Sequence, residues 1–190
     1  MLSSPSGGGK TSVIREVLRR RPDFGYSVSA TTRPRRGHEV DGQDYYFLTR
    51  DAFKERIQAD DFVEWAEVHG HLYGTPKSAL ETQLSAGKVV LLDIDVDGGL
   101  QIKKLYPEHS LLIFLMPPSL DVLIARLKGR STETEAQIKK RLERIPKEMA
   151  RAKEYDVILI NNDFEETVKK VIQLIDLNLE RMSVQKKHSN

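Results

Sequence analysis

The stretch Ser4-Pro5-Ser6-Gly7-Gly8-Gly9-Lys10-Thr11 decides the fold, because its composition is that of a phosphate-binding loop that closes on a helix. Glycines let successive backbone N–H groups point at phosphate oxygens, the lysine supplies a cation, and the hydroxyl can bind Mg²⁺. The helix that starts near Lys10 adds the positive end of its dipole. A flexible Gly/Ser-rich start to the chain is disfavoured, since the helical run Val13–Arg20 follows at once.

Two features depart from the usual form of such a loop. Ser4 stands where the strict pattern has glycine, although a serine with a negative φ still fits the turn. Only Met1-Leu2-Ser3 precede the loop, whereas strands usually contain about five residues. We therefore expect the first strand to be short or to begin upstream of Met1, and the core to be weaker than the full pattern would give.

The overall composition fits one compact domain with small inserts. The chain has 190 residues, 39% of them hydrophobic and 31% charged, with a net charge of +2 and no cysteine. Such a balanced charge gives no argument for a nucleic-acid partner, and the lack of cysteine excludes disulfides and thiolate chemistry. No signal peptide is visible, and the longest apolar run, Leu111–Met116, is too short to cross a bilayer. We expect a soluble cytoplasmic protein without a membrane partner; a homo-oligomer is left open.

Strands alternate with helices along the chain, which predicts an α/β domain with a central parallel sheet between helices, a three-layer arrangement. Three apolar runs are typical of strands buried on both faces of such a sheet: Lys88–Asp93, Ser110–Met116 and Val157–Ile160. Phe24–Thr32 alternates like one further strand. A last helix is predicted over Phe164–Met182, followed by a frayed polar tail.

Two stretches interrupt the alternation and divide the chain. One, from Ser29 to Thr75, is β-rich and aromatic, and the other, from Gly129 to Arg151, is charged and helical. Both are predicted to lie over the carboxyl edge of the sheet, where open α/β sheets bind their ligands. The predicted regions are a core of residues 1–28, 76–126 and 152–182, a β-rich subdomain of 29–75, a lid of 127–151 and a polar tail of 183–190.

A basic turn after Thr32 is a candidate phosphate site. Arg33 and Arg36 carry guanidinium forks that match phosphate oxygens, and the Tyr45 hydroxyl could donate one more hydrogen bond. A solvated basic turn is the simpler interpretation of these charges, and it would be preferred if the motif stood alone.

Glu64 lies between large apolar residues in Phe62-Val63-Glu64-Trp65, where a carboxylate is costly without a partner. Guanine offers such a partner, because its N1–H and N2–H₂ donors lie side by side next to the O6 acceptor. Adenine lacks that donor pair, and a mismatch of this kind discriminates by up to ~10⁴–10⁵. Hydroxyls in Tyr73-Gly74-Thr75 could face the carbonyl. A glutamate on an edge strand with its side chain in water is an equal alternative.

The acidic segment Asp93-Ile94-Asp95-Val96-Asp97-Gly98 admits three interpretations. An EF-hand loop fails, because Lys104 takes the position of the terminal glutamate and a strand precedes the segment. A GTPase switch fits weakly through Asp95 and Gly98, yet the chain has no Asn-Lys-x-Asp motif. We favour the third interpretation, in which Asp93 ends a buried strand beside the phosphate loop and holds a Mg²⁺-bound water.

Arginines in the charged stretch or just before it could close over phosphates and neutralise charge in the transition state: Arg126, Arg130 and Arg141. A surface helix with salt bridges to neighbouring glutamates is the alternative, and it applies to most of these charges. His69 and His71 have no metal ligands near them in sequence, and we interpret them as exposed strand residues.

Together these motifs resemble the guanylate kinases, and the likeness covers nearly the whole chain in the family's order. The matching stretches are Ser4–Thr11, Ser27–Arg33, Glu39–Tyr45, Phe62–Trp65, Tyr73–Thr75, Leu92–Asp95, Gly129–Glu133 and Ile160–Asp163. Several of these motifs are individually specific, so their joint occurrence is hard to reach by accident. The resemblance implies a P-loop fold with a GMP-binding subdomain over residues 29–75 and a helical lid.

The resemblance also implies a role for each matching residue. ATP would contact Ser6, Gly7, Gly8, Gly9, Lys10, Thr11, Ser12, Arg130 and Asn161. The GMP phosphate would contact Arg33, Arg36, Tyr45 and Tyr73, and the guanine would contact Ser29, Glu64, Thr75 and Asp95. Mg²⁺ would be held by Thr11 and, through water, by Asp93. Catalysis would depend on Lys10, Arg33, Arg130 and Arg141.

The implied reaction is Mg²⁺-dependent phosphoryl transfer from ATP to GMP, and to dGMP, in purine nucleotide metabolism. One alternative is a non-catalytic guanylate-kinase-like module that binds peptides, and Lys10 and Thr11 argue against it because such modules typically lose the phosphate loop. The other is a P-loop kinase for another small acceptor, against which Glu64 argues. The chain departs from the family's usual residues at Ser4, Arg35 and Thr75.

Overall fold

A parallel sheet lies at the centre of the computed structural model, which describes residues 1–128 and 135–188. In chain order the strands are β1 (Leu2–Ser3), β2 (Gly25–Ser27), β3 (Ala30–Thr31), β4 (Tyr46–Phe47), β5 (Phe62–Val68), β6 (His71–Pro76), β7 (Val90–Leu92), β8 (Ile113–Met116) and β9 (Val157–Ile160). The helices are α1 (Lys10–Arg20), α2 (Arg50–Gln58), α3 (Lys77–Ser85), α4 (Val96–Leu105), α5 (Leu120–Lys128), α6 (Glu135–Ala150) and α7 (Phe164–His188). A 3₁₀ turn, Arg151–Glu154, follows α6.

The central sheet has the strand order β2-β7-β1-β8-β9. The pairs β2–β7, β1–β8 and β8–β9 are parallel, and a parallel bridge between Leu2 and Asp93 joins the two groups of strands. This position of β1 places the loop that follows it at the middle of the carboxyl edge, beside the end of β7. As expected, β1 is short, with two residues.

Side chains of β8 are buried on both faces of the sheet, as predicted. Ile113 and Leu115 pack with α1 and α7, whereas Phe114 lies on the other face, 5.3 Å from the Tyr155 ring between centroids. The residues of α1 that face the sheet recur at helical spacing: Val13, Ile14 and Val17. The predicted three-layer α/β fold is therefore confirmed.

A second sheet, of order β4-β3-β6-β5, forms within the β-rich stretch. β5 and β6 make the antiparallel hairpin, and β3 pairs with both β6 and β4. Its small core includes Phe53 of α2, stacked on Phe62 with 4.4 Å between ring centroids. The sheet lies where a β-rich subdomain is predicted, while the boundaries of the predicted regions stay predictions.

Phe24–Thr32 is not one strand, contrary to the prediction. β2 pairs with β7 in the central sheet, whereas β3 pairs with β6 in the second sheet. The chain crosses from one sheet to the other at Val28 and Ser29, between the two strands. Continuous β propensity therefore covers two strands with different partners.

Two further elements differ from the prediction. β9 is not buried on both faces, because Ile158 and Ile160, which lie on one face of the strand, are 46% and 66% exposed. α7 continues past Met182 to His188, since neither glycine nor proline interrupts it. Within residues 1–128 and 135–188, no helix has the length and apolar character that a membrane span needs.

Replacing Leu2 by alanine should destabilise the protein strongly. Leu2 is fully buried in the middle of the central sheet, so the truncation should leave a cavity and lower the free energy of unfolding by about 2–5 kcal/mol. Urea unfolding followed by circular dichroism measures this change. The matched control is Leu105→Ala, at a side chain 58% exposed at the end of α4, which should change stability by less than about 0.5 kcal/mol. Equal losses in both variants would contradict the central placement of β1.

Candidate active site

The loop between β1 and α1 has a backbone suited to holding an anion. Gly7 and Gly9 have φ angles of 90° and 89°, in the left-handed region that favours glycine. A Cβ on Gly8 would lie 2.7 Å from the Cβ of Ser4, so the serine side chain fits only because Gly8 has none. Successive N–H groups can thus converge on one anion at the start of α1.

Asp93, which follows β7, contacts the side chains of the first two residues of α1, Lys10 and Thr11. Its Oδ1 lies 2.8 Å from Lys10 Nζ, and its Oδ2 accepts a hydrogen bond of 2.7 Å from Thr11 Oγ1. Lys10 also donates to the carbonyl of Ile94. Because Asp93 is buried, the carboxylate fixes a cation and a hydroxyl side by side at the end of the sheet.

The same cleft contains the carboxylate of Glu64, on β5. Glu64 is 5% exposed, and its Oε1 accepts a hydrogen bond of 2.6 Å from the hydroxyl of the fully buried Thr75. Burial raises the pKa of Glu64 to about 7, against the effect of the Thr75 hydrogen bond and together with the negative charge of Asp95. Glu64 is therefore not the solvent-exposed glutamate of the alternative interpretation.

Two polar groups accompany Glu64 in the cleft. The Oγ of Ser29 is buried and has no hydrogen-bond partner in the part of the chain that the structure describes. Asp95 caps α4, since its Oδ1 accepts a hydrogen bond of 2.8 Å from the N–H of Gly98. The unpartnered hydroxyl of Ser29, the half-buried carboxylate of Asp95 and the buried one of Glu64 suit a planar ring that offers both donors and acceptors.

Arg33 is held by a carboxylate to which the sequence analysis assigns no role. Its Nη2 and Nη1 donate to the two oxygens of Glu39 over 2.7 and 2.9 Å, and its guanidinium carbon lies 5.2 Å from the centre of the Tyr45 ring. The Tyr45 ring is in turn 6.2 Å from that of Tyr73. Burial raises the pKa of Glu39, but hydrogen bonds from Arg33 and the backbone N–H of Arg36 outweigh it and leave that pKa lowered. Arg33 is thus a fixed cation at the cleft.

Known proteins resemble this chain in sequence and in structure. The family model for guanylate kinase matches residues 1–178. The chain belongs to the guanylate kinase family. The guanylate kinase of Thermotoga maritima is 45% identical over 175 residues, which are 92% of this chain and 84% of that protein. That of Chlorobium chlorochromatii is 46% identical over 168 residues, 88% of each chain. The crystal structure of guanylate kinase from Anaplasma phagocytophilum matches with a TM-score of 0.74 at 32% identity, covering 93% of this chain and 82% of that one.

Most site residues expected from the guanylate kinase family surround one cavity of about 250 Å³. The expected residues that line it are Ser6, Gly7, Gly8, Gly9, Lys10, Thr11, Ser12, Ser29, Arg33, Arg36, Tyr45, Glu64, Tyr73, Asp93, Asp95 and Arg141. They come from the loop and the first turn of α1, from the strands and connections between β2 and β6, from the segment after β7 and from α6. The fold therefore brings together segments that are distant in sequence, as the resemblance implies.

Three further residues expected from the guanylate kinase family are not among those that line this cavity. Thr75 is fully buried and reaches the cleft only through its hydrogen bond to Glu64. Asn161 is buried, and its Nδ2 donates over 2.8 Å to the carbonyl of Gly8, which supports the loop. Its contact with ATP stays a prediction. Arg130 lies outside the described residues.

Two charged or titratable residues that the sequence does not predict as site residues, Glu148 and His69, also line the cleft. Glu148 of α6 accepts a hydrogen bond of 3.3 Å from the N–H of Ser6, whose hydroxyl is bonded by Arg141 of the same helix. His69 lies half-buried in the turn between β5 and β6 and lines the cleft, so its interpretation as an exposed strand residue is wrong. Burial, and then the positive charges of Arg141 and Arg144, lower the pKa of His69 to about 4. Nothing in the sequence singles out Glu148 among the charges of its helix.

The buried carboxyl of Glu64 should make stability depend on pH. Its pKa is raised from 4.5 to about 7 on folding, so the folded state keeps a proton that the unfolded state loses as the pH rises above 4.5. Wild-type stability should therefore fall as the pH rises from 4.5 to about 7, relative to Glu64→Gln, which cannot ionise. Relative to Glu64→Gln, the wild type should lose up to ~3 kcal/mol of unfolding free energy between pH 4.5 and about 7.

Urea unfolding at several pH values between 4.5 and 8 measures this difference. Glu67→Gln is the matched control, because Glu67 lies on the same strand with a side chain 49% exposed. Its difference from the wild type should stay nearly constant with pH. A constant difference for Glu64→Gln as well would show that the carboxyl of Glu64 is not buried as described.

Proposed function

We propose that this protein transfers the γ-phosphoryl group of ATP to GMP, which yields ADP and GDP. The observation that carries the proposal is the buried carboxylate of Glu64 in the same cleft as the phosphate loop and Lys10. Such a carboxylate is stable when it accepts hydrogen bonds, and guanine offers two adjacent donors at N1 and N2. Membership of the guanylate kinase family supports the same acceptor.

The transfer needs positioning and charge neutralisation rather than a general base. An oxygen of the GMP phosphate, already anionic near pH 7, attacks the γ-phosphorus of ATP. The bond from that phosphorus to the bridging oxygen breaks, and ADP leaves with the electron pair. Lys10 and the arginines offset the negative charge of the crowded phosphates, while N–H groups of the loop hold those of ATP.

Arg33 and its neighbours would hold the phosphate of GMP. Glu39 already fixes the guanidinium of Arg33 in the cleft, next to Tyr45. A guanidinium held in this way loses little side-chain freedom when it binds phosphate. Arg36, Tyr45 and Tyr73 line the same part of the cleft and would add hydrogen bonds.

Mg²⁺ is the cofactor that we propose, with ATP as co-substrate. Thr11 would ligate it directly and Asp93 through water; their oxygens, 2.7 Å apart, are of the hard type that Mg²⁺ prefers. Within residues 1–128 and 135–188, no three His, Asp or Glu side chains are clustered so that they could hold a metal ion. This arrangement suits an ion held mainly by substrate phosphates. When bound, Mg²⁺ would neutralise negative charge on those phosphates.

The lid of residues 127–151 and the subdomain of 29–75 would close over the two nucleotides. Arg141 lies against the loop through Ser6, so a small movement would bring it to the ATP phosphates, and Arg130 would act there too. Closure would exclude water, which would otherwise hydrolyse ATP.

ADP release in a coupled assay should depend on the base of the acceptor. With ATP and Mg²⁺, GMP should support a turnover on the order of 1–100 s⁻¹, and kcat/KM for AMP should be lower by up to ~10⁴. dGMP should also react, because the proposed contacts are to the base and the phosphate. Equal efficiency with GMP and AMP would contradict guanine recognition. Release no faster than in buffer with any acceptor would support the peptide-binding module instead.

Substitution of Lys10 or Arg33 by alanine should remove most of the transfer without unfolding the chain. Each change removes a cation from the reacting phosphates, so kcat/KM for GMP should fall by roughly 10²–10³-fold. Steady-state kinetics measure the loss, and circular dichroism verifies the fold. Arg35→Ala is the matched control, because Arg35 is exposed in the same turn as Arg33. Rates near the wild-type value in either active-site variant would refute the assigned role.

A further inference from the structure

Gly98, in the first turn of α4, lies against both acidic residues of the base-binding part of the cleft. Its N–H donates to Oδ1 of Asp95. A Cβ built on Gly98 would lie 2.5 Å from Oε2 of Glu64, 3.0 Å from its Cδ and 3.1 Å from Oδ1 of Asp95. Real Cβ atoms essentially never approach another heavy atom to less than 3.0 Å. The carboxylate of Glu64 thus occupies the space that a side chain at this position would need.

The backbone itself does not call for a glycine at this position. Gly98 lies within α4 and is not one of the glycines with a positive φ. Inside a helix, alanine is more favourable than glycine. Local chain conformation would therefore favour alanine here, whereas the three heavy atoms nearest to such a methyl group all belong to the two carboxylates.

Glu64 is confined on its other side as well. Its Oε1 is tied to the hydroxyl of Thr75 at 2.6 Å, and α4 packs directly against β5, which carries Glu64. A methyl group at residue 98 would push Oε2 away from α4 and break or bend that hydrogen bond. The acceptor oxygens would then no longer be aligned for two adjacent donors of a flat base.

We propose that Gly98 is a specificity-determining positioning residue, whose lack of a side chain seats the Glu64 carboxylate between α4 and Thr75 for recognition of guanine. Gly98 touches no reacting atom and acts through the carboxylates beside it, above all that of Glu64, which a Cβ would approach most closely. The inference rests on the proposed function and adds to it the reason why the carboxylate is held in one place.

The test compares Gly98→Ala with Gly99→Ala, at the next residue of the same helix. A Cβ on Gly99 would lie 2.6 Å from the Tyr155 hydroxyl and 3.3 Å from Ser3 Oγ, so this control crowds α4 equally but away from Glu64. Kinetics are measured with ATP and either GMP or IMP. IMP keeps N1–H and O6 of guanine but lacks the 2-amino group, so the ratio of the two kcat/KM values reports the second donor.

Gly98→Ala should raise the KM for GMP by about 10- to 100-fold, the loss expected for a hydrogen bond to a charged group. The preference for GMP over IMP should fall by about tenfold or more, while the KM for ATP should change by less than about threefold. Gly99→Ala should keep the wild-type preference. An unchanged preference in Gly98→Ala, or an equal loss of preference in Gly99→Ala, would overturn the inference.

A double variant tests whether the effect passes through Glu64. Glu64→Asp shortens the side chain and frees space, so combining it with Gly98→Ala should cost less than the product of the two single losses in kcat/KM for GMP. Multiplied losses would overturn the inference. If Gly98→Ala alone does not fold by circular dichroism, the double variant should fold; its failure to do so would also overturn the inference.

The failure of this inference can be distinguished from that of the proposed function. A wild-type protein that releases ADP with GMP, combined with any of the contrary results above, overturns the role of Gly98 alone. A wild-type protein without GMP-dependent ADP release overturns the proposed function, and the role of Gly98 with it.

Discussion

The contacts of Asp93 with Lys10 and Thr11 are the interaction on which the rest of the site depends. The loop begins at the end of β1, and Asp93, at the end of the neighbouring β7, holds the residues with which the loop enters α1. Asn161, which follows β9, supports the same loop through the carbonyl of Gly8. Because all three attachments come from the carboxyl edge of one parallel sheet, the loop is held by the core of the protein and does not depend on the second sheet for its shape.

Two buried glutamates, Glu64 in the cleft and Glu39 behind Arg33, have surroundings that suit different tasks. Glu39 faces the guanidinium of Arg33 with both oxygens, and its pKa is lowered despite burial. Glu64 has a hydroxyl as its partner, and burial raises its pKa. Glu39 is thus a complete ion pair that orients a cation, whereas Glu64 keeps acceptor capacity that a ligand can use.

Features with a local physical cause could be predicted from the sequence. The loop is one of them, because its glycines, lysine and hydroxyl act through their own backbone and their immediate neighbours. The position of Glu64 among apolar residues left a buried carboxylate and a solvent-exposed one as equal interpretations, and the structure decides for the buried one. The pairing of motifs into one cleft followed from the resemblance, since no single stretch specifies its distant neighbours.

Features set by tertiary contacts could not be predicted in this way. Residues 24–32 have continuous β propensity, and only the position of β7 and β6 decides where one strand ends and the next begins. β9 has the composition of a strand buried on both faces, yet its two isoleucines lie exposed on one face, which depends on what packs there and not on the strand itself. The role proposed for Gly98 depends on the carboxylate of Glu64, in the second sheet, and no pattern around residue 98 reveals that neighbour.

The two contacts that α6 makes with Ser6 have a consequence for the first encounter with a nucleotide. One main-chain donor of the loop, the N–H of Ser6, already bonds a protein carboxylate, from Glu148. A phosphoryl oxygen that reached this N–H would therefore replace one anion by another, and the electrostatic gain would be only the difference between them. The displaced carboxylate of Glu148 would then lie beside a more negative group, and the repulsion would act on α6, which carries it.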